Sequence, residues 1–445
     1  MRADRGIVEG EEGKVEQYME MVHVFGLGLM VLVSSFSDDS SYRNVVVIDM
    51  LVRNRVLLPQ FGVYKRVTRL QLYHVLAIET SCDDTSVAWL DHDPVTHRTH
   101  VSHNLKSTLN SVMAGGIIPT AAHEHHQLQI GDLVQHIAKE QKNMRNIPRP
   151  DLICVTRGPG MLGSLSTGLT MAKGLSIAWD IPLLGVNHML GHLLVPRLYD
   201  KSLKFPFVSL LVSGGHCLLV HSTSVTEHKI LCESIDIAAG DSLDKCGREI
   251  GLSGIMIGKI MDQFTEDIEN PWDIHDPVID KCQLPNPLTK GTSKHKLAFS
   301  FSPFITSVKD FLKLYPLNTL TTYQHKLLAA RIQDSIFNHI ITKIVHTIEN
   351  NPSMFENVSS FVCSGGVSAN NKLRAKLQKT LNNHFNSFHY PPLELCTDNA
   401  VMIGWAGIEM FDRYSQSISN SLDILPIRKW PLEDILRVSD FKYSH

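Results

Sequence analysis

The feature that most limits the fold of this chain is a repeated one. "YHVLAIETSCDDTSVAWLDHD" (73–93) reads as an apolar strand, a turn of small polar residues, and a second strand ending in charges. The same plan returns roughly 130 residues later in "FPFVSLLVSGGHCLLVHST" (205–223), with the turn Ser213-Gly214-Gly215-His216. Two such hairpins predict a duplicated domain. A third apolar strand, in "FVCSGGVSANNKLRAKL" (361–377), runs through Gly365-Gly366 and opens a helix near Asn370. Glycines between a strand and a helix let backbone N–H groups approach a ligand, and a helix N-terminus favours anions. One such turn is only a turn; three at strand ends form a pattern. Helical periodicity over 119–141, 164–180 and 323–350 separates these strands. The alternation predicts an α/β protein. Residues 265–296, with prolines at 271, 277, 285 and 287, are expected to form a loop or insertion.

Chemistry enters with "GVNHMLGHLL" (185–194), where His188 and His192 lie four residues apart. On a helix both rings share one face, about one turn apart, and can clamp a metal ion. Chance pairs at this spacing are common in a chain with 23 histidines, so a third ligand is needed. Zincins place a glutamate between their histidines as general base. Here Met189, Leu190 and Gly191 intervene, which disfavours peptide hydrolysis. The carboxylate candidate is Asp398 in Thr397-Asp398-Asn399, ahead of an apolar helix, where a plain N-cap is the competing reading. His123-Glu124-His125-His126 reads as a solvated helix face rather than a second metal site. Asp83 and Asp84 share a turn, and either bind a ligand or stabilise the turn. Asp241 and Asp244, three apart on a predicted helix, suit sugar hydroxyls, with capping as the alternative for Asp241.

A formal net charge of −3 over 445 residues gives no general pull toward nucleic acid. The basic runs "KGTSKHK" (290–296) and "KLRAKLQK" (372–379) read as solvated loop and helix faces. The eight cysteines show no close-spaced pair, which fits reduced, mostly buried thiols and a reducing compartment. The apolar run 21–33 is shorter than the roughly 20 residues of a membrane span, and its acidic flank does not suit a secretory signal. Residues 50–78 carry Arg53, Arg55, Lys65, Arg66 and Arg69 and no carboxylate, as in a mitochondrial transit peptide. Translation starting at Met50 would make the first 49 residues an artefact or a weakly structured extension.

"AIETSCDDT", "GGIIPTAAH", "TRGPGMLGSL", "NHMLGHLL", "FPFVSLLVSGGH", "GDSLDKCGRE", "FSFS", "CSGGVSANNKLR" and "CTDNA" occur in one order over about residues 75–430. In that order they closely resemble the tRNA N6-adenosine threonylcarbamoyltransferase family, especially its stand-alone mitochondrial branch. The resemblance implies an α/β, two-lobed actin- and sugar-kinase-like ATPase fold, with duplicated mixed-sheet domains around a nucleotide cleft. An N-terminal extension (1–73, its transit peptide 50–73) is expected to precede a first lobe (74–207, completed by 408–445) and a second (208–407). By position, His188, His192 and Asp398 would bind one divalent metal ion per subunit, zinc or iron. Leu211, Val212, Ser213, Gly214 and Gly215 would wrap the nucleotide phosphate and acyl group. Asp244 would bind the ribose and Asn370 the adenosine moiety, while Glu79 and Asp83 would border the acyl pocket, with Asp83 as general base or amine orienter.

Two departures stand out. Most relatives follow the Asp-Lys helix with Pro-Gly-Gly, whereas this chain reads "GLSGIMIG", so a nucleotide contact at Gly254 could slip to Gly258. The usual Thr-Asp-Asn-Gly is Thr-Asp-Asn-Ala. The implied reaction moves a threonylcarbamoyl group from threonylcarbamoyl-AMP, made by a separate synthase, to the adenosine beside the anticodon of mitochondrial tRNAs reading codons that start with A. A homodimer in the mitochondrial matrix, with no membrane partner, is the expected setting. An ATP-binding kinase or regulatory ATPase of the same fold is the alternative.

Overall fold

A computed structural model describes residues 72–111, 116–145, 149–254, 256–289, 291, 295–414 and 422–437, together with four strands within residues 3–49. Those strands, β1 (Ala3–Ile7), β2 (Gln17–His23), β3 (Met30–Phe36) and β4 (Asn44–Asp49), form an antiparallel meander in a unit of their own, Met1–Thr68. Most of the transit-peptide expectation, residues 50–71, lies outside the described residues.

The second unit, Arg69–His445, holds two sheets. In the first, β5 (Tyr73–Glu79), β6 (Asp84–Asp93) and β7 (Arg98–Thr108) run antiparallel, and β8 (Leu152–Gly158) and β9 (Leu183–Asn187) add in parallel, in the order β7-β6-β5-β8-β9. The second sheet adds β10 (Phe207–Val212), β11 (Cys217–Ser222), β12 (His228–Ser234), β13 (Ala298–Phe299), β14 (Ser360–Ser364) and β15 (Ser387–His389). Its order, β13-β12-β11-β10-β14-β15, repeats the first plan with one extra edge strand. The duplication expected from the two hairpins is therefore present, as the two-lobed actin-like fold requires.

Apolar runs decide the layers. The central strands are buried on both faces, so they read as continuous hydrophobic stretches rather than alternating ones. Helices α1 (Pro119–Arg145) and α2 (Leu162–Trp179) cover the outer face of the first sheet. Between the sheets lie α3 (His188–Tyr199) and α9 (Ala400–Tyr414), whose Leu190, Leu193, Met402 and Ile403 share one core with Ala77 of the first sheet and Leu211 and Val362 of the second. On the far face of the second sheet, α4 (Ala239–Glu249), α6 (Ser302–Leu314), α7 (Thr322–Asn350) and α8 (Asn371–Leu381) enclose a third core, and α5 (Ile257–Phe264) adds Met261.

Where described, the proline-rich segment 265–296 is irregular apart from short 3-10 turns such as Ile279–Lys281, as expected of a loop, yet it is firmly held. Buried Arg331 of α7 donates to the Pro271 and Ile274 carbonyls and to Asp280, and buried Lys343 donates to the Leu288 carbonyl at 2.6 Å. Part of the basic run 290–296 lies outside the described residues. The other run corrects its expectation. Lys372 donates to the Ile268 carbonyl, Arg374 stacks 4.6 Å from the Tyr390 ring, and Lys376 pairs with Asp334 at 2.7 Å. These cations tie α8 to its neighbours rather than forming a solvated basic face.

Candidate metal and transfer site

Strand β9 ends in Asn187, whose side chain accepts from the Met189 and Leu190 N–H groups and so caps α3. His188 thereby becomes the first residue of the helix, and His192 follows one turn later on the same face. The rings lie 4.9 Å apart at 86°. Gly191 sits between them, where a Cβ would come within 2.9 Å of Met402 Cγ. Its bare backbone lets α3 and α9 approach closely, and the segment entering α9 carries Asp398.

Asn399 caps α9, accepting from the Met402 N–H at 3.0 Å and donating to the Thr397 carbonyl at 2.7 Å. Asp398 is thus free of the capping task and turns to the histidines. Its Oδ1 lies 3.1 Å from His192 Nε2 and 3.6 Å from His188 Nε2. Among the described residues, these three form one of two groups able to offer a metal ion converging donors, all within 4.8 Å of one another. Donors about 2.0–2.2 Å from a tetrahedral ion lie about 3.3 Å apart, between the two separations seen. Two imidazoles and a carboxylate suit zinc or ferrous iron.

Glu79 ends β5, fully buried, and its oxygens are occupied: Ser81 N–H at 2.6 Å, Thr156 Oγ1, and His188 Nδ1 at 3.2 Å. Ser81 Oγ also meets His188 Nδ1 at 3.1 Å. His188 is held from behind, leaving Nε2 for a ligand, the arrangement that fixes tautomer and orientation in metal sites. Burial raises the Glu79 pKa, but the charge and hydrogen bond of His188 outweigh it and hold the carboxyl below its ordinary value. Burial also works against a charged His188, yet Asp398 and Glu79 on either side push it up to about 9. Asp398, despite burial, is held well below the carboxylate range by the two histidines. The pocket between these carboxylates favours a positive charge.

Asp83 is half-buried, and burial, then the negative charge of Asp398, raises its pKa. Its neighbour Asp84 faces elsewhere, accepting from Thr108 Oγ1 and pairing with Lys106 at 3.0 Å. Lys106 also donates to Thr397 Oγ1 at 3.1 Å and the Asp398 carbonyl at 3.3 Å, so it bridges the first hairpin and the metal-group loop. Nothing in its local sequence marks it, because its partners lie 291 and 292 residues away.

Beyond the parallel ends of β10 and β14 lie the glycine turns. Gly365 has φ of +92°, and a Cβ there would meet the Val212 carbonyl oxygen at 2.5 Å. The Leu211–Ser364 register and the Ser364 hydroxyl, which donates to the His192 carbonyl at 2.8 Å, tie these ends to α3. In the Ser213-Gly214-Gly215 turn, the Ser213 N–H donates to the His216 carbonyl, and the Gly215 N–H to Ser213 Oγ at 3.3 Å. Two backbone donors expected to face a ligand are therefore engaged within the turn. Gly240 of α4 donates to the Ser213 carbonyl, and a Cβ on it would strike Gly214 at 2.9 Å. His216, which sequence reading passed over, has its ring 6.2 Å from His188; burial, then the His188 charge, push it down to about 4.

The remaining expected contacts hold helix ends. Asp244 accepts from the Gly258 N–H at 2.9 Å at the start of α5, and burial raises its pKa. Gly254 takes φ of +136° in the corner between α4 and α5. Asn370 caps α8 through the Lys372 and Leu373 N–H groups. Asp241 pairs with Lys245 at 2.7 Å and does not cap α4, whose cap position is Ala238. The 123–126 cluster also corrects its expectation. Buried His126 bonds Thr85 and the Cys82 carbonyl, His125 donates to the Ser107 carbonyl, and His123 to the Gly163 carbonyl, so three imidazoles lock the Glu79–Asp84 turn and its neighbours in place. All eight cysteines are free thiols, in keeping with the expected reduced state.

Fold and site together define a two-lobed α/β protein with a His-His-Asp group between its lobes. The profile of the family described as "TsaD: tRNA N6-adenosine threonylcarbamoyltransferase" matches residues 99–405. Among curated proteins, the "tRNA N6-adenosine threonylcarbamoyltransferase, mitochondrial" of Schizosaccharomyces pombe is 36% identical, over 82% of this chain and 87% of its own length. The "tRNA N6-adenosine threonylcarbamoyltransferase" of Zymomonas mobilis is 32% identical, over 81% of this chain and 92% of its own. Among solved structures, nucleotide- and phosphate-bound HypF aligns at 12% identity with a TM-score of 0.48, over 77% of this chain and 46% of that one, too loose a likeness to argue from. The chain belongs to the tRNA N6-adenosine threonylcarbamoyltransferase family; it is a transferase of tRNA modification.

Proposed function

We propose that this enzyme transfers the threonylcarbamoyl group from threonylcarbamoyl-AMP to N6 of the adenosine adjacent to the anticodon in mitochondrial tRNAs reading codons that start with A. The observation that carries the reading is the meeting of His188, His192 and Asp398 between the lobes, with Glu79 behind His188. His188, His192 and Asp398 would hold a divalent ion, zinc or iron, which would supply stabilisation of developing negative charge, on the order of several kcal/mol.

The adenine amine is a weak nucleophile, so the donor must arrive activated. N6 attacks the carbamoyl carbon, the bond from that carbon to the phosphate oxygen breaks with its electron pair leaving on AMP, and the N6 proton passes to a base. Asp83, half-buried at the turn after β5, is placed as that base; burial, then the charge of Asp398, raises its proton affinity above that of an ordinary carboxylate. Glu79, with both oxygens engaged, acts through His188 as a positioning residue. Leu211 to Gly215 line the phosphate and acyl group, Asp244 and the Gly254 corner the ribose, and Asn370 the adenosine. Alignment of amine and acyl carbon supplies the rest.

In this reading the first lobe spans 74–207 and the second begins at 208, and the packing of α9 on the first sheet favours a return to the first lobe near residue 400 rather than 408. The mitochondrial setting rests on the Schizosaccharomyces pombe relative and the arginine-rich stretch from residue 50. A matrix homodimer and a separate synthase complete the proposal.

The test is reconstitution: this protein with a threonylcarbamoyl-AMP synthase, threonine, bicarbonate, ATP and a mitochondrial tRNA transcript, read by nucleoside mass spectrometry. Modified adenosine from the parent and none from His188→Ala supports the reading. ATP turnover with phosphorylation of a second substrate and no modified nucleoside favours the kinase alternative.

A further inference from the structure

At the far end of α9 lies the second group of converging donors among the described residues: His92, His97 and Asp412. His92 lies next to the last residue of β6, buried, while His97 sits in the turn before β7 with φ of +53°, a left-handed conformation uncommon outside glycine. Asp412 comes from the last turn of α9. Two segments far apart in the chain, the β6–β7 hairpin and the end of α9, thus bring donor atoms within 4.8 Å of one another.

What distinguishes the group from a chance surface cluster is its backing. His92 Nδ1 meets Thr99 Oγ1 at 2.7 Å, which leaves Nε2 to face Asp412 Oδ2 at 3.1 Å. Tyr73 OH donates to the other carboxylate oxygen, Asp412 Oδ1, at 2.7 Å. One ring nitrogen and one carboxylate oxygen are anchored, and the other of each pair faces the same point. Such outer partners are what orient ligands in metal sites. The 3.1 Å separation is close to the roughly 3.3 Å expected of two ligands on one tetrahedral ion. His92 is further fixed by the Tyr73 ring, edge-on at 5.1 Å.

We propose that His92, His97 and Asp412 form a second site for a zinc-class divalent cation, pinning the β6–β7 hairpin to the C-terminal end of α9. Two imidazoles and a single carboxylate favour borderline transition-metal ions over calcium or magnesium, which take oxygen ligands. The site stands at the opposite end of α9 from Asp398, so its role is structural: it fastens the helix whose other end carries the transfer group. The inference does not depend on the function proposed above.

The experiment uses the full chain, stripped with a chelator and titrated with cobalt(II), with bound metal counted by elemental mass spectrometry after gel filtration. His97→Gln removes an exposed ligand, and Asp412→Asn a second one at little cost in shape. Each variant is expected to bind one equivalent fewer than the parent. In a His192→Ala background, zinc is expected to raise the thermal midpoint, and adding His97→Gln is expected to abolish that rise. Equal stoichiometry in parent and both variants, or a zinc-induced rise that survives in the double variant, overturns the proposal.

Discussion

Asn399, and not its neighbour Asp398, caps helix α9: the Asn399 side-chain Oδ1 accepts from the Met402 N–H at 3.0 Å, and Asp398 Oδ1 lies 3.1 Å from His192 Nε2. Two adjacent polar residues thus take different places: one caps the helix and the other faces the histidines. Asp398→Asn is expected to keep the thermal midpoint near that of the parent and to weaken metal binding about 100-fold or more. Asn399→Ala is expected to cost about 0.5–2 kcal/mol of stability through the lost cap. Paired calorimetry and metal titration distinguish the two. Equal loss of stability in both variants contradicts the division.

Close helix contact predicts an asymmetry among the helical glycines. At Gly191 a Cβ would meet Met402 Cγ at 2.9 Å and Ile403 Cδ1 at 3.2 Å, both core side chains, whereas at Gly174 in α2 it would meet nothing within 4 Å. Gly191→Ala is expected to destabilise by about 1–3 kcal/mol through overpacking. Gly174→Ala is expected to stabilise by up to about 1 kcal/mol, since alanine is the better helix former. Urea denaturation of the two variants measures both, and matching shifts would count against the packing described for α3 and α9.

Lys106 links Asp84 to Thr397 and the Asp398 carbonyl. Lys106→Met keeps much of the stem and removes the charge, so the loop bearing Asp398 loses its tether to the first hairpin. Metal affinity is expected to fall about 10- to 100-fold, the usual effect of losing a supporting contact behind a ligand. Competition with a chromophoric chelator gives the number. An affinity equal to the parent's would remove Lys106 from the site.

Acid should loosen one identifiable corner of the second lobe. Asp236 accepts from the Ser300 and Ser302 hydroxyls and from the Phe301 and Ser302 N–H groups, which ties the "FSFS" motif to the end of β12. Burial raises its pKa, but these bonds outweigh it and bring it down to about 2. A carboxyl depressed in the folded state binds fewer protons there than in the unfolded chain. Its stabilising contribution is therefore present above pH 4 or so and fades as pH falls toward about 2. Stability of Asp236→Asn should decline less steeply than the parent's across that interval. Parallel slopes in acid titrations followed by circular dichroism would contradict this.

Much of the fold was legible because it rests on local signals. Continuous apolar runs marked the central strands, and the repeated hairpin marked the duplication. The His188–His192 pair was legible too, because helical spacing alone puts both rings on one face. Asp398 was ambiguous for a physical reason: Thr, Asp and Asn all cap helices, and only the packed structure shows Asn399 doing so. Lys106, His216 and Gly240 carry no local mark, since their partners are distant in the chain. The same blindness misread His126 and Lys372 as solvated, although each is committed to a backbone carbonyl of another segment.

The most direct measurement of the central claim is single-turnover transfer from purified threonylcarbamoyl-AMP to a tRNA transcript, by metal-loaded parent, Asp398→Asn and the parent stripped of metal, with bound metal counted in each. Transfer that tracks the metal bound at His188, His192 and Asp398, lost in Asp398→Asn while its fold and thermal midpoint persist, is the predicted result. Undiminished transfer by the stripped parent or by a metal-free Asp398→Asn would contradict it.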